Sequence, residues 1–533
     1  MPLYTQLNRP LRITTPLGDD TLLLVGLSGL EGLSRMFRFE LEMLMGQEVT
    51  VELSGPIGET RYFNGIVRQF EEGLRDNEFV RYRAEIVPQM WLATRRFRSR
   101  IFQQKTVPEI LAVLFDGMQT SVELSGTYHA RNYCVQYQET DFAFASRLME
   151  EVGIFYYFRH RKDGHDLVLT DGPFQLKDLP DPSTLIFDPL EGGLRDDPCI
   201  FNWRKRQEIR SGQVMLWDHT FELPGKNLEA EESIQQSVQV GQVTHKLPGS
   251  DAELQVYEFP GRYAQRYDGI DPGGAPRAAD LQHLYTDNVQ TAKVIIESEA
   301  AHALHIAGQS NCASLIPGCK FTLQRHLNAD GNYLLTAVEH RAELPSNYRA
   351  TENGSGFKYE NHFVCLPEGL NYRPLRTTPR PRVFGLQTAT VVGPPGDQMF
   401  LDKYGRVKVQ FHWDREGQNN SGSSCWLRVS QAWAGQGWGA FFWPRIGHEV
   451  LVGFLEGDPD RPVVVSSVYN AQNMPPFEMP QHASACGFKS CTVGGDPVTQ
   501  FNCLVFYDKP GNEPVHMHSE THACSRSEAA NLR

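Results

Sequence analysis

The sequence predicts a mainly β protein with some α, an α+β chain in which a β-rich barrel or sandwich is followed by a small oligonucleotide/oligosaccharide-binding (OB) β-barrel. Short apolar/polar alternations recur along the first 130 residues, and few segments carry a helical period. Several short strand signals then crowd into residues 382–470, the density expected of a small closed barrel. At 533 residues the chain has room for three or four cores of roughly 150 residues each.

Taken in order, Phe37–Met43 alternates cleanly, and Arg61–Val67 and Val80–Ile86 repeat the pattern. Thr106-Val-Pro-Glu109 has the spacing of a capping box with Pro in the first turn, and Ile110, Leu111, Leu114 and Phe115 then share one helical face. A second helix is expected over Thr140–Glu151, where Phe142, Ala145, Leu148, Met149 and Val152 form an apolar stripe that stops at Gly153. Ile154–Phe158 reads as a buried strand, Gly269–Pro276 as a turn cluster, Ala278–Ala301 as a helix, and Lys320–Arg325 and Tyr333–Glu339 as strands. The prolines of Arg373–Arg382 favour an extended connector, which places the main boundary within residues 353–383. Beyond it, Arg406–Trp413 alternates as a half-buried antiparallel strand, with Val407, Val409, Phe411 and Trp413 on one face and Arg406, Lys408, Gln410 and His412 on the other. Trp426–Ser430, Glu449–Phe454 and Val463–Tyr469 supply further strands, the last after a turn at Gly457–Pro462.

The formal charge is 51 − 64 = −13, so a polyanion gains no net attraction to the chain. Residues 382–470 hold eight Lys or Arg and eight Asp or Glu, so the aromatic-rich barrel lacks the basic groove that single-stranded nucleic acid requires. Its five Trp (413, 426, 433, 438, 443) read instead as core or subunit-interface residues. The apolar run Leu22–Leu30 is far short of the ~20 residues of a membrane span, and it follows Asp19 and Asp20 rather than a basic segment. Neither a signal peptide nor a membrane helix is expected, and the 10 cysteines are expected to be mostly reduced.

Catalytic and cofactor patterns fail on spacing. His448-Glu449 opens H-E-x-x-H, but Val452 stands where the second ligand belongs. Ser28 is followed directly by Gly29, one residue early for a serine elbow, and Gly225-Lys226 continues into Asn227, not the hydroxyl of a phosphate loop. Glu150 and Glu151 are neighbours on a helix, about 100° apart, and read as a solvated face. Cys486, Cys491, Cys503 and Cys524 with His482, His516, His518 and His522 are sufficient in number for zinc but not in spacing. No catalytic, cofactor-binding or metal residue is assigned.

The run Tyr404, Gly405, Arg406 to Trp413 and Asp414, followed by Trp426, Trp438, Gly439, Pro444, Arg445, Gly447, Gly457, Asp458, Pro459, Arg461, Tyr469 and Asn470 in their local motifs, closely resembles the VgrG family. These are the valine-glycine repeat spike proteins of bacterial type VI secretion systems. The resemblance extends upstream through Leu27–Arg35, Cys134–Asp141, Ser146–Glu151 and Thr336–Ala342. It implies a phage baseplate hub-like region with β-barrels and helices at residues 1–370, a Pro-rich linker at 371–383, the OB domain at 384–470, and a neck with the start of a triple-stranded β-helical needle at 471–533. It also implies a homotrimer that caps the Hcp tube, contacts baseplate components, bears a PAAR-repeat tip protein and effectors, and meets a target membrane mechanically. Such a chain is made in the bacterial cytoplasm and leaves through the secretion apparatus without a signal peptide. The alternatives are a contractile phage-tail hub or spike protein and a secreted effector enzyme.

Two departures accompany the resemblance. The segment from Phe39 runs almost directly through Met45 into Gly46–Thr50, where relatives have a longer acidic insertion, and the chain reaches Arg533 after two needle-like strands, Phe501–Asp508 and Pro514–Glu520. Residues from about Cys486 onward are therefore expected to be less ordered than the rest and to add little stability.

Overall fold

The computed structural model describes residues 5–7, 9–41, 48–54, 60–75, 80–172, 176–180, 182–189, 197–247, 254–344 and 356–521. The start of the expected acidic-insertion site, residues 42–47, and His522 and Cys524 of the Cys/His-rich tail lie outside these. The chain divides into two compact units, residues 1–269 with 278–381, and residues 270–277 with 382–533.

The larger unit is built on a 12-stranded sheet. Its first part runs Leu11–Thr14, Glu48–Ser54, Thr60–Arg75, Val80–Val87, Arg35–Leu41, Gly26–Gly32, and joins the long strand Gly331–Glu343. The second part continues through Lys320–Gln324, Thr184–Phe187, Cys199–Gln207, Leu304–Ser310 and Lys358–Pro367, which pairs back onto Gly331–Glu343 and so closes a six-stranded barrel. Closure leaves no free edge in that barrel. Phe37, Phe39, Leu53, Phe63 and Ile86 fill the first core with helix residues Ile110 and Leu148. Ile200, Leu304, Ile306, Phe321, Tyr333 and Phe363 fill the second.

Helix α1, Val107–Leu114, starts where the capping box predicts: Glu109 N–H donates to Thr106 Oγ1 and Thr106 N–H donates to Glu109 Oε2 at 2.7 Å. Helix α2, Asp141–Val152, is capped by Thr140, whose Oγ1 accepts the Ala143 N–H at 3.1 Å, and ends at Gly153 with φ 77°, the left-handed stop that favours glycine. The Ala-rich stretch begins as a 3-10 turn, Ala278–His283, and becomes α3 over Leu284–Ala303.

Three sequence expectations are corrected. The carboxylates at the end of α2 do not form a solvated face: Glu151 is buried, with Arg131 and Arg266 each 2.8 Å from Oε1 and Arg380 on Oε2, while Glu150 accepts the Thr378 N–H at 3.0 Å. Segments distant in sequence bring the guanidinium groups, which local periodicity does not register. Strand Arg406–Trp413 is shorter, Lys408–Phe411, and is buried on both faces, with Arg406 2% and Lys408 1% exposed. Each long cationic side chain is enclosed because an internal acceptor awaits its head group. Third, residues 485–518 form an antiparallel sheet of three strands, Ala485–Lys489, Cys503–Tyr507 and Val515–His518, not two strands.

In the smaller unit, Lys408–Phe411, Gln387–Val392, Glu449–Phe454, Pro462–Val468 and Arg428–Val429 form a five-stranded sheet in that order. Its edges meet through reciprocal Val407 and Leu427 backbone bonds of 3.0 and 2.7 Å, which close a barrel around Ala389, Val391, Val409, Phe411, Val450, Val452 and Val464.

Candidate assembly surface on the small barrel

The barrel's charged motif residues hold loops rather than face a substrate. Asp402 Oδ1 accepts the Tyr404 and Arg406 N–H groups at 3.0 and 2.9 Å, and Oδ2 accepts Arg406 Nε at 2.6 Å. Gly405 donates its N–H to Asp402 O at 3.0 Å within this turn. Lys408 Nζ donates to Ser421 O at 2.6 Å and lies 5.1 Å from the Trp426 ring centre. Asp414 Oδ1 accepts the Glu416 N–H at 3.1 Å, and Trp413 donates its indole N–H to Gln387 Oε1 at 2.9 Å while stacking on Phe411.

Gly447 N–H donates to Val391 O, Val383 N–H donates to Gly457 O, and Arg461 N–H donates to Asp458 O at 2.9 Å, with Pro459 buried between the last two. Asn470 Nδ2 reaches Glu449 Oε2 at 2.8 Å, so Glu449 is a loop anchor on a strand, not a helical metal-site base. Neighbouring His448 is held below the usual imidazole range by burial and then by the Arg445 charge. Arg428 is held below its ordinary value by burial, then by Arg461 and Arg406. Among the described residues, no group of three or more His, Cys, Asp or Glu side chains gathers as a metal site, and no helix is long and apolar enough to cross a membrane.

Against this satisfied frame, one surface is conspicuously apolar. Trp433 and Trp438 are 64% and 57% exposed and meet edge to face, ring centres 4.8 Å apart, across the hairpin formed by Ala434–Gly435 and Trp438–Gly439. Gly439 has φ 136°, and a Cβ there would lie 2.3 Å from Trp433 O, so the hairpin demands glycine. Phe441 and Phe442 are exposed beside it, and Tyr469 is exposed on its own loop. The Phe442 backbone is pinned by a reciprocal pair of bonds to the Gln431 amide, and its ring stacks on Phe488 at 5.3 Å. Arg445 donates to Cys491 O and Gly494 N–H donates to Gln398 Oε1 at 2.8 Å, so the C-terminal sheet is fastened to the barrel at three places. Pro444 is buried between Trp443 and Arg445.

Trp426, by contrast, is a core residue. The sequence reading placed Trp433 and Trp438 among core or subunit-interface residues but missed Phe441 and Phe442, set Lys408 on an outward face, and passed over Asp402. The i, i+4 spacing of Asp402 and Arg406 was the available signal for Asp402. Nothing local signalled that Lys408 is enclosed.

In the larger unit a cavity of about 470 Å³ is lined by Tyr128, Arg131, Glu151, Asp171, Arg266 and Asp287. Burial pushes the Glu151 carboxyl up, but the charges of Arg131, Arg380 and Arg266 overcome it and hold it well below the usual carboxylate range. That keeps it an ion-pair partner and unsuited to proton donation.

The chain thus carries a closed six-stranded β-barrel and an OB-type barrel. Residues 30–346 match the family described as phage tail baseplate hub (GPD), and residues 397–469 match that described as type VI secretion system/phage-baseplate injector OB domain. The chain is 36% identical over 532 residues to the type VI secretion system spike protein VgrG1c of Pseudomonas aeruginosa, across 97% of this chain and 69% of that relative. It is 37% identical to VgrG1a of the same organism, across 97% of this chain and 78% of that relative. The actin cross-linking toxin VgrG1 of Vibrio cholerae is 33% identical, across 95% of this chain but 45% of that protein. Among solved structures, the E. coli c3393 protein, described as a type VI secretion component similar to the phage T4 tail proteins gp27 and gp5, shares the fold with a TM-score of 0.54 at 19% identity, covering 86% of this chain and 99% of that one. The chain belongs to the VgrG family of type VI secretion spike proteins.

Proposed function

We propose that three copies of this chain assemble into a spike that caps an Hcp tube, meets the baseplate, and is driven through a target envelope by contraction of the surrounding apparatus, carrying effectors and a PAAR-repeat tip protein. Residues 1–370 serve as the hub, 371–383 as a linker, 384–470 as the OB domain and 471–533 as the neck and start of a β-helical needle in this reading. The observation that carries it is the exposed Trp433, Trp438, Phe441 and Phe442 surface, held on a barrel whose Asp402, Arg406 and Lys408 are committed to internal bonds. Aromatic side chains on a rigid hairpin suit the core of a subunit interface. The work is mechanical and requires no catalytic group, and the chain is released through the apparatus it tips.

Multi-angle light scattering of the full chain is the direct test: a mass near three times 60.3 kDa is expected, and a stable monomer at micromolar concentration would refute the assembly. Turnover of peptidoglycan, nucleic acid or lipid that a single substitution abolishes would favour the effector-enzyme reading instead.

A further inference from the structure

Three histidines inside the larger unit play no part in the assembly just described. His160 on strand Phe155–Arg161 and His165 on strand Gly164–Thr170 are register partners across a hairpin, and His340 lies on Gly331–Glu343. The side chains of His160 and His340 are fully enclosed. Phe37 packs 4.6 Å from the His160 ring and Phe63 5.0 Å from the His340 ring, centre to centre, which shuts water out.

Each ring is engaged by polar neighbours. The Asn64 N–H donates to His160 Nδ1 at 3.0 Å, and the Gln89 N–H donates to His165 Nε2 at 3.1 Å. His340 Nε2 lies 2.9 Å from Glu31 Oε1, a carboxylate that only accepts, so this nitrogen carries the proton and Nδ1 accepts the Tyr359 hydroxyl at 2.7 Å. The Tyr359 oxygen in turn accepts from Asn361 Nδ2 at 3.1 Å. His165 Nδ1–H donates to Asn64 Oδ1 at 2.9 Å, and His160 Nε2 faces Glu31 Oε2 at 3.5 Å. His165 is thus fixed as a neutral single tautomer, on which a second proton would face the Gln89 N–H, whereas His160 Nδ1 also lies 3.1 Å from Asn64 O and the Tyr359 oxygen beside His340 can accept as well as donate.

Asn64 is the junction. Besides both hairpin histidines it binds Thr50 Oγ1 at 2.8 Å, and Thr50 Oγ1 donates to Lys162 O at the hairpin tip at 3.0 Å. The charged and titratable groups facing this cluster are Glu31 from strand Gly26–Gly32, Arg61 from Thr60–Arg75, Tyr359 from Lys358–Pro367, and Arg161 on the hairpin itself. Arg61 already neutralises Glu31. A protonated imidazole would therefore add uncompensated charge to an apolar enclosure.

We propose that His160, His165 and His340 form an acid-release latch: on acidification toward pH 5 they take up protons, the bond from the Gln89 N–H to His165 breaks, charge enters the apolar enclosure around His160 and His340, and the hairpin Phe155–Thr170 lifts from strand Thr60–Arg75 while the smaller unit stays folded. Burial depresses all three imidazoles, His165 to about 3 with His160 and Arg161 adding to the effect, whereas an exposed histidine titrates near 6.5. The closed hairpin is consequently at full strength above about pH 6.5 and loses stability as pH falls, with up to three protons driving the opening.

Hydrogen-exchange mass spectrometry of the intact chain tests this, with rates corrected for intrinsic pH dependence. Peptides covering residues 155–170 and 60–67 should exchange at least tenfold faster at pH 5.0 than at pH 7.5, while those covering 387–392 and 449–454 stay unchanged. His160→Gln and His165→Gln should each remove a substantial part of that pH response. In the unsubstituted chain the acceleration should exceed tenfold per pH unit between pH 6 and 5, because more than one proton is taken up. Acceleration spread equally over both units, a slope of tenfold per unit or less, or an undiminished response in both variants would overturn the latch.

Discussion

Trp426 donates its indole N–H to the backbone carbonyl of Asp271 at 2.9 Å, although 155 residues separate the two. The bond belongs to a strap, Ile270–Arg277, that leaves the larger unit's sequence to become part of the smaller one, where Asp271 Oδ1 also accepts the Gly273 and Ala275 N–H groups at 2.8 and 2.9 Å. The Trp426 ring is covered on its other side by Phe400, 4.7 Å away centre to centre, and by the Lys408 ammonium. Trp426→Phe is expected to keep the packing and lose the bond, costing about 1 kcal/mol. Trp426→Ala is expected to cost about 3–5 kcal/mol through the cavity left behind. Urea unfolding of the full chain, followed by near-ultraviolet dichroism, measures both.

The buried pair Asp402–Arg406 makes the next case. Asp402→Asn removes the carboxylate paired with an enclosed guanidinium and is expected to cost about 3–5 kcal/mol. Adding Arg406→Met removes the buried charge as well, so the double variant should be more stable than Asp402→Asn alone. Thermal denaturation of the three chains gives the order directly.

On the exposed hairpin the expectation reverses. Trp433→Ser with Trp438→Ser should leave the barrel's thermal transition within about 1 kcal/mol, because both rings already face solvent in the isolated chain. Each ring buried at a subunit interface carries about 2 kcal/mol or more. Light scattering should accordingly find a lower mass for this variant at concentrations where the unsubstituted chain is fully assembled.

Glu151 supplies a pH dependence of definite sign. Its carboxyl is held below the ordinary value of about 4.3, so its stabilising effect is complete above that pH and is lost as pH falls through the folded value. Glu151→Gln should cost about 3 kcal/mol near pH 7 and flatten the acid limb of the stability curve between pH 5 and 3. Urea midpoints taken across that range would show it.

Truncation after Pro480 separates two expectations for the C-terminal sheet. Counting strands alone implies that the sheet contributes little, but the stack of Phe488 on Phe442 and the Arg445 bond to Cys491 O tie it to the barrel. The truncated chain is therefore expected to lose about 1–3 kcal/mol from the barrel transition and to expose Phe442 further. An unchanged calorimetric transition would restore the simpler expectation.

Sequence by itself determined the features that neighbouring residues decide. Thr106 with Glu109 and Thr140 with Gly153 set the helix ends because a cap satisfies backbone groups within one turn of itself. Long ordered motifs from Tyr404 to Asn470 carried the family in the same way, since each encodes a turn or a strand locally. What only the tertiary structure decided is which polar and aromatic residues are enclosed. Lys408 and Glu151 look solvated by periodicity, yet Ser421 O captures one and Arg131, Arg266 and Arg380 the other, all delivered by segments beyond the local period. The Trp residues are likewise indistinguishable along the chain: Trp426 is buried under a strap from residue 271, and Trp433 and Trp438 stay outside because no described residue reaches over them. Burial of a charge or a ring depends on the partner that compensates it, and that partner is chosen by the fold rather than by the neighbouring sequence.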